Sequence, residues 1–124
     1  NIAFNFLDEP IDEKKMEKAI NIANLEGKIL ELPNGINTKV GTDGLKLSGG
    51  ERQRIALARA VYRVPNIFFM DESTSALDDK TEEAIMNNIK ANFNDKTIII
   101  IAHRKTTIDK CDKIWNLKNG SIDQ

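Results

Sequence analysis

The sequence predicts an α/β fold: a parallel sheet with a helical lobe attached near its start. Three observations point there. Residues 67–70 (Ile-Phe-Phe-Met) and 97–102 (Thr-Ile-Ile-Ile-Ile-Ala) are short, continuous apolar runs, the pattern of parallel strands buried on both faces. Between and after them, strand-like and helix-like segments alternate from residue 66 to 124. Residues 1–46 instead read as helix and loop.

Taken in order, Asp12 has the place of an N-cap, and Met16, Ala19, Ile20 and Ala23 follow at helical spacing, with Gly27 expected to close the segment. A short piece at 29–32 ends in the turn Pro33-Asn34-Gly35, and residues 36–46 read as loop. Ser48 and Glu51 have the S-x-x-E spacing of a capping box. Behind them Ile55, Ala56, Leu57, Ala58, Ala60 and Val61 give a broad apolar helix face, and Pro65 delays the next element. Asp78 is placed to cap a helix carrying Ile85, Ile89 and Phe93 on one stripe. Residues 114–117, Asn119-Gly120 and Ile122 read as a hairpin.

Composition narrows the function. The 124 residues suffice for one small domain with a modest core. Lys and Arg number 18 against 19 Asp and Glu, so the charge makes no case for nucleic acid or an anionic membrane surface. The single Cys111 cannot form an internal disulfide and reads as a half-buried thiol, and the single His103 excludes a His-rich metal site. No apolar run approaches the roughly 20 residues of a spanning helix. The chain opens on Asn1-Ile2-Ala3-Phe4 rather than Met and closes on what reads as a strand cut short, so a part of something larger is expected.

Two constellations carry chemistry. Ser48-Gly49-Gly50 opens a helix with backbone N–H groups that glycine leaves open to an anion, and the helix dipole favours negative charge there. Glu51 tempers this by placing a carboxylate in the first turn; if it folds back to the Ser48 amide, an anion meets less of that charge. Asp71-Glu72 ends the first strand and His103 follows the second. In open α/β sheets ligands sit beyond the carboxyl ends of strands, so parallel strands would bring all three to one edge. Asp71 can hold Mg²⁺, Glu72 can orient and deprotonate a water, and His103 can donate to a terminal phosphate. Taken singly, Asp71-Glu72 reads as a solvent-facing carboxylate pair and Asp78 as a plain N-cap. In combination they read as nucleotide chemistry.

These residues resemble the nucleotide-binding domain of ATP-binding cassette proteins, a P-loop NTPase fold. Leu47-Ser48-Gly49-Gly50-Glu51 resembles the family signature, with Glu where Gln is commoner; residues 67–71 resemble the Walker B strand and Glu72 the catalytic glutamate. Ser75-Ala76-Leu77-Asp78 resembles the D-loop and His103 the switch histidine. Leu32-Pro33-Asn34-Gly35, Thr38-Lys39-Val40-Gly41, Gly44-Leu45-Lys46 and the run Arg52 to Ala60 are similar to exporter-type transporters. The likeness implies a helical subdomain with the signature helix over 1–63 and the C-terminal part of the catalytic core over 64–124.

The resemblance implies ATP and Mg²⁺ as cofactors. It implies a second nucleotide-binding domain in a head-to-tail dimer, membrane domains as further partners, no nucleic acid, and a place at the cytoplasmic face of the cell membrane. Ser48, Gly49 and Gly50 would then meet the γ-phosphate of the partner's ATP, with Glu51 in the same motif, and Asp78 would lie between the two sites. Asp71, Glu72 and His103 would act on ATP held by the chain's own phosphate loop. That loop is missing: no G-x-x-x-x-G-K-[ST] occurs in the sequence. The strand that feeds it is expected to be missing too, leaving the sheet incomplete with a bare edge. The alternative family reading is a soluble cassette ATPase of chromosome maintenance or DNA repair, which shares Glu in the signature but usually lacks the Arg-Gln-Arg continuation.

Overall fold

The computed structural model describes residues 1–3, 10–41, 45–71 and 74–123. They form five α-helices and two small sheets. Helix α1 (Glu13–Ile22) is capped by Asp12, whose side chain accepts from the Lys15 N–H, as the spacing predicts. It ends earlier than expected. Asn24 takes φ 53°, its N–H donates to the Asn21 carbonyl, and Leu25 N–H donates back to Ile20, the paired bonds of a Schellman end. Leu25, the residue after the left-handed position, is buried and locks the turn. Gly27 therefore lies inside a second helix, α2 (Glu26–Glu31), and does not terminate the first. Asn tolerates the left-handed region through its short polar side chain, so it took the role assigned to glycine.

Residues Gly35–Asn37 form one 3₁₀ turn inside the expected loop. Helix α3 (Gly49–Tyr62) starts with the capping box: the Ser48 hydroxyl accepts from Glu51 N–H, and the Glu51 carboxylate accepts from Ser48 N–H. Strand β1 (Ile67–Asp71), helix α4 (Asp79–Asn92), strand β2 (Thr97–Ile101) and helix α5 (Lys105–Ile108) follow. Strands β1 and β2 pair in parallel, Ile67 against Thr97 through Asp71 against Ile101. A hairpin, β3 (Asn116–Lys118) and β4 (Ser121–Asp123), turns through Asn119 and Gly120 at φ 52° and 78°, the two left-handed residues of a type I′ turn.

One core joins the helical and the strand-bearing parts. Ala19, Ile22 and Leu25 pack with Leu57, Ala58 and Val61 of α3, Phe68 and Met70 of β1, and Ile85, Ile89 and Phe93 of α4. The rings of Phe68 and Phe93 stand 4.7 Å apart. The strands differ from expectation: they are buried on one face only. Phe68 and Met70 face the helices at 5% exposure, whereas Ile67, Phe69, Ile99 and Ile101 face outward, Phe69 at 76%. Alternation of side chains across a strand forces this wherever helices cover one face. No described element covers the other.

Such a face, on a sheet whose edges pair with no other described strand, promotes association. The isolated 124-residue chain is expected to self-associate at micromolar concentration, and Phe69→Lys to shift it toward monomer. Sedimentation velocity checks this; a wild-type monomer with both strands fully protected from hydrogen exchange would count against it.

Candidate functional site

The parallel register brings Asp71 to the carboxyl end of β1, opposite Ile101, with His103 two residues beyond that partner. Both side chains are exposed at that edge. The sequence's expectation that they share one edge therefore holds. Glu72, placed between them in chemistry, lies outside the described residues.

The anion-type site is built separately, at the start of α3. Ser48 Oγ takes Glu51 N–H at 3.2 Å and the Ser48 carbonyl takes Arg52 N–H at 3.0 Å. The N–H groups of Gly49 and Gly50 have no acceptor among the described residues. Glu51 does fold back, 2.7 Å from the Ser48 amide, and its other oxygen meets the Lys28 ammonium at 2.9 Å. The Ser48 N–H, then Lys28, hold the Glu51 carboxyl below its ordinary value, and Glu51 in turn raises Lys28. Lys28 on α2 thus offsets the negative charge that the capping box places beside the glycines.

Between the two sites runs the segment 75–78. Gly50 presses directly on it: a side chain there would meet Leu77 Cδ2 at 3.0 Å and the Ala76 carbonyl at 3.1 Å. Gln53, one turn along α3, clamps the segment from the same side. Its amide donates to Ser75 Oγ at 3.0 Å and accepts from Ala76 N–H at 2.9 Å. Gly50→Val is accordingly expected to destabilise by about 1–3 kcal/mol despite its better fit to a helix than glycine, because the backbone carbonyl must shift. Urea unfolding of the two forms checks it, and an unchanged midpoint would mean that the segment yields freely.

Asp78 caps α4. One oxygen accepts from Thr81 N–H at 3.0 Å and the other from the Thr81 hydroxyl at 2.6 Å, which together hold its carboxyl below the ordinary value.

The far side of the segment meets a network that sequence reasoning missed. Arg104, next to His103, donates to the Leu77 carbonyl at 3.1 Å, the Ser75 carbonyl at 3.4 Å and Asp79 at 3.2 Å, and pairs with Glu82. Glu82 is only 4% exposed and also accepts from the hydroxyls of Thr74 and Thr107. Burial alone would raise its carboxyl, but bonds from Thr107, Arg104 and Thr74 outweigh it, and the carboxyl lies below its ordinary value. Thr74, Glu82, His103, Arg104 and Thr107 line one cleft of about 150 Å³ with Met70 and Met86. One signal was available: Glu82 falls on the apolar stripe of Ile85, Ile89 and Phe93, and a charge there calls for a buried partner.

Comparison with known proteins gives a consistent picture. The family model described as ABC transporter matches residues 4–75. The chain is 43% identical over 122 residues to the ATP-dependent lipid A-core flippase of Pseudoalteromonas translucida (strain TAC 125), covering 98% of this chain and 21% of that protein. It is 41% identical over 122 residues to ABC transporter B family member 18 of Arabidopsis thaliana, covering 98% and 10%. Among solved structures, a bacterial Atm1-family ABC exporter with ATP bound aligns with a TM-score of 0.83 at 41% identity, over 91% of this chain and 20% of that one. The chain thus spans about a fifth of the bacterial proteins it matches.

Proposed function

The chain belongs to the ABC transporter family, and from that premise we propose that it is part of the ATP-hydrolysing domain of an exporter, coupling hydrolysis to export or flipping of a substrate across a membrane. The observation that carries the reading is the parallel register that sets Asp71 and His103 at one sheet edge. None of the described helices is long and apolar enough to cross a membrane, so the membrane domains are assigned to other segments or chains.

Each residue has a role in this reading. The exposed Asp71 carboxylate is a fitting ligand for Mg²⁺, which is typically held by one or two carboxylates together with substrate phosphates. When bound, ATP supplies the phosphoryl group and Mg²⁺ neutralises charge on it. Glu72 orients and deprotonates the attacking water. His103 donates a hydrogen bond to the terminal phosphate. Ser48 and the N–H groups of Gly49 and Gly50 would bind the γ-phosphate of a nucleotide held by a second nucleotide-binding domain, with Glu51 closing the cap behind them. Asp78 lies toward the dimer interface. Residues 1–63 act as the helical subdomain and 64–124 as part of the catalytic core, at the cytoplasmic face of the membrane.

The test is ATP turnover by the full-length protein reconstituted in lipid vesicles, with and without Asp71→Asn. Mg²⁺-dependent turnover whose Mg²⁺ requirement the substitution raises supports the reading; a turnover and Mg²⁺ requirement indifferent to it reject it. The 124-residue chain alone is expected to hydrolyse no ATP, because positioning of the phosphates supplies most of the catalysis in phosphoryl transfer and the sequence has no phosphate loop. Hydrolysis by the isolated chain that Glu72→Gln abolishes would overturn that expectation.

A further inference from the structure

The geometry points to Arg104 as a positioning residue that, through its pairing with the buried Glu82, locks segment 75–78 to the loop carrying His103. This rests on the reading of the site given above, and it adds residues that the reading does not use.

Three elements meet on one guanidinium. Nη2 donates to the carbonyls of Leu77 and Ser75, and Nη1 donates to Asp79 and Glu82 of α4. The same residue is the N-cap of α5 and the immediate neighbour of His103. A planar fork with fixed donors is suited to holding two carbonyls and two carboxylates at once, which a lysine point charge is not. Glu82 anchors the arrangement from below. Its Oε1 accepts from Thr74, just past β1, and from Thr107 in α5. Both carboxylate oxygens are engaged, so the group has few alternative positions.

On its other side the segment is gripped by α3 through Gln53 and the Gly50 contact. A displacement of the α3 start therefore has a short route, through packing at Gly50 and hydrogen bonds, to the Arg104 guanidinium. The path is Gly50 and Gln53 to residues 75–77, and from their carbonyls to Arg104. Packed, hydrogen-bonded elements transmit such shifts because they do not deform smoothly.

The experiment uses the full-length protein with Arg104→Lys and Arg104→Met, read by steady-state ATP turnover and by hydrogen exchange of backbone amides. Arg104→Lys is expected to lower kcat by about tenfold to a hundredfold with KM for ATP within about twofold, the mark of lost alignment rather than lost binding. The amides of Ala76 and Leu77 are expected to exchange faster together with those of Thr107 and Ile108, which bond to the Arg104 carbonyl, while α1 stays protected. Wild-type kcat in Arg104→Lys overturns the proposal, as does faster exchange on one side only. If Arg104→Met fails to fold, the lysine variant decides. If the wild-type protein shows no turnover sensitive to Glu72→Gln, the functional reading fails, and the paired exchange of 76–77 with 107–108 still decides whether Arg104 locks the two loops.

Discussion

Glu72→Gln in the full-length protein is expected to lower ATP turnover by about two to four orders of magnitude while leaving ATP-dependent association of the two nucleotide-binding domains intact. The substitution keeps side-chain size and one carbonyl oxygen but removes the basic carboxylate. Glu72 itself lies outside the described residues; its neighbour Asp71 does not. Asp71 ends β1 at the carboxyl edge of the sheet, in register with Ile101, and His103 follows Ile101 by two residues. On the proposed function, Glu72 holds the water while Asp71 serves as the metal ligand. The two acids therefore fail differently: Asp71→Asn raises the Mg²⁺ needed for half-maximal turnover, whereas Glu72→Gln lowers the plateau at saturating Mg²⁺. Titrating Mg²⁺ against turnover separates them, and a Glu72→Gln plateau equal to wild type removes Glu72 from the role of base.

How much of this was legible in the sequence depended on how local each signal was. The caps at Asp12, Ser48 and Asp78 were readable because each is set by a side chain and an amide three residues on. The hairpin turn was readable because Asn119-Gly120 carries its own conformational preference. The end of α1 was misplaced because a Schellman turn at Asn24 depends on burying Leu25, and burial is not written in the local sequence. The strands looked buried on both faces because their composition suits a covered sheet, while the described residues cover one face alone. Gln53, Arg104 and Glu82 escaped notice for the same reason. Apart from Thr74, eight residues before Glu82, their partners lie 22 to 29 residues away, and only the packing of three elements brings them together. The site's edge was thus predictable, whereas the bonds that hold its loops in place were not.

Glu82→Ala is expected to destabilise the protein by about 2–4 kcal/mol near neutral pH, more than any surface change in the molecule. The side chain is 4% exposed and accepts from Thr74, Thr107 and Arg104. Removing it leaves two hydroxyls unpaired, each worth about 1 kcal/mol, and strips a guanidinium of its buried partner. Arg104 keeps Asp79 and two carbonyls, which holds the loss below that of a fully orphaned charge. The pH dependence gives the second half of the expectation. The folded-state carboxyl lies below its ordinary value, so the unfolded chain takes up the proton first. The stabilisation is then complete above the ordinary carboxylate range and fades as pH falls through the depressed folded value. Wild type and Glu82→Ala should differ most at neutral pH and converge on acidification. Some acid sensitivity persists in the variant, since Glu51 and Asp78 are also held below their ordinary values. Glu82→Gln separates charge from volume: it fills the site yet lacks the titrating proton, so its acid limb should run parallel to that of Glu82→Ala. Urea unfolding across the acid range reads all three. A gap between wild type and Glu82→Gln that stays constant with pH would mean that the carboxyl's charge contributes nothing to holding the two loops together.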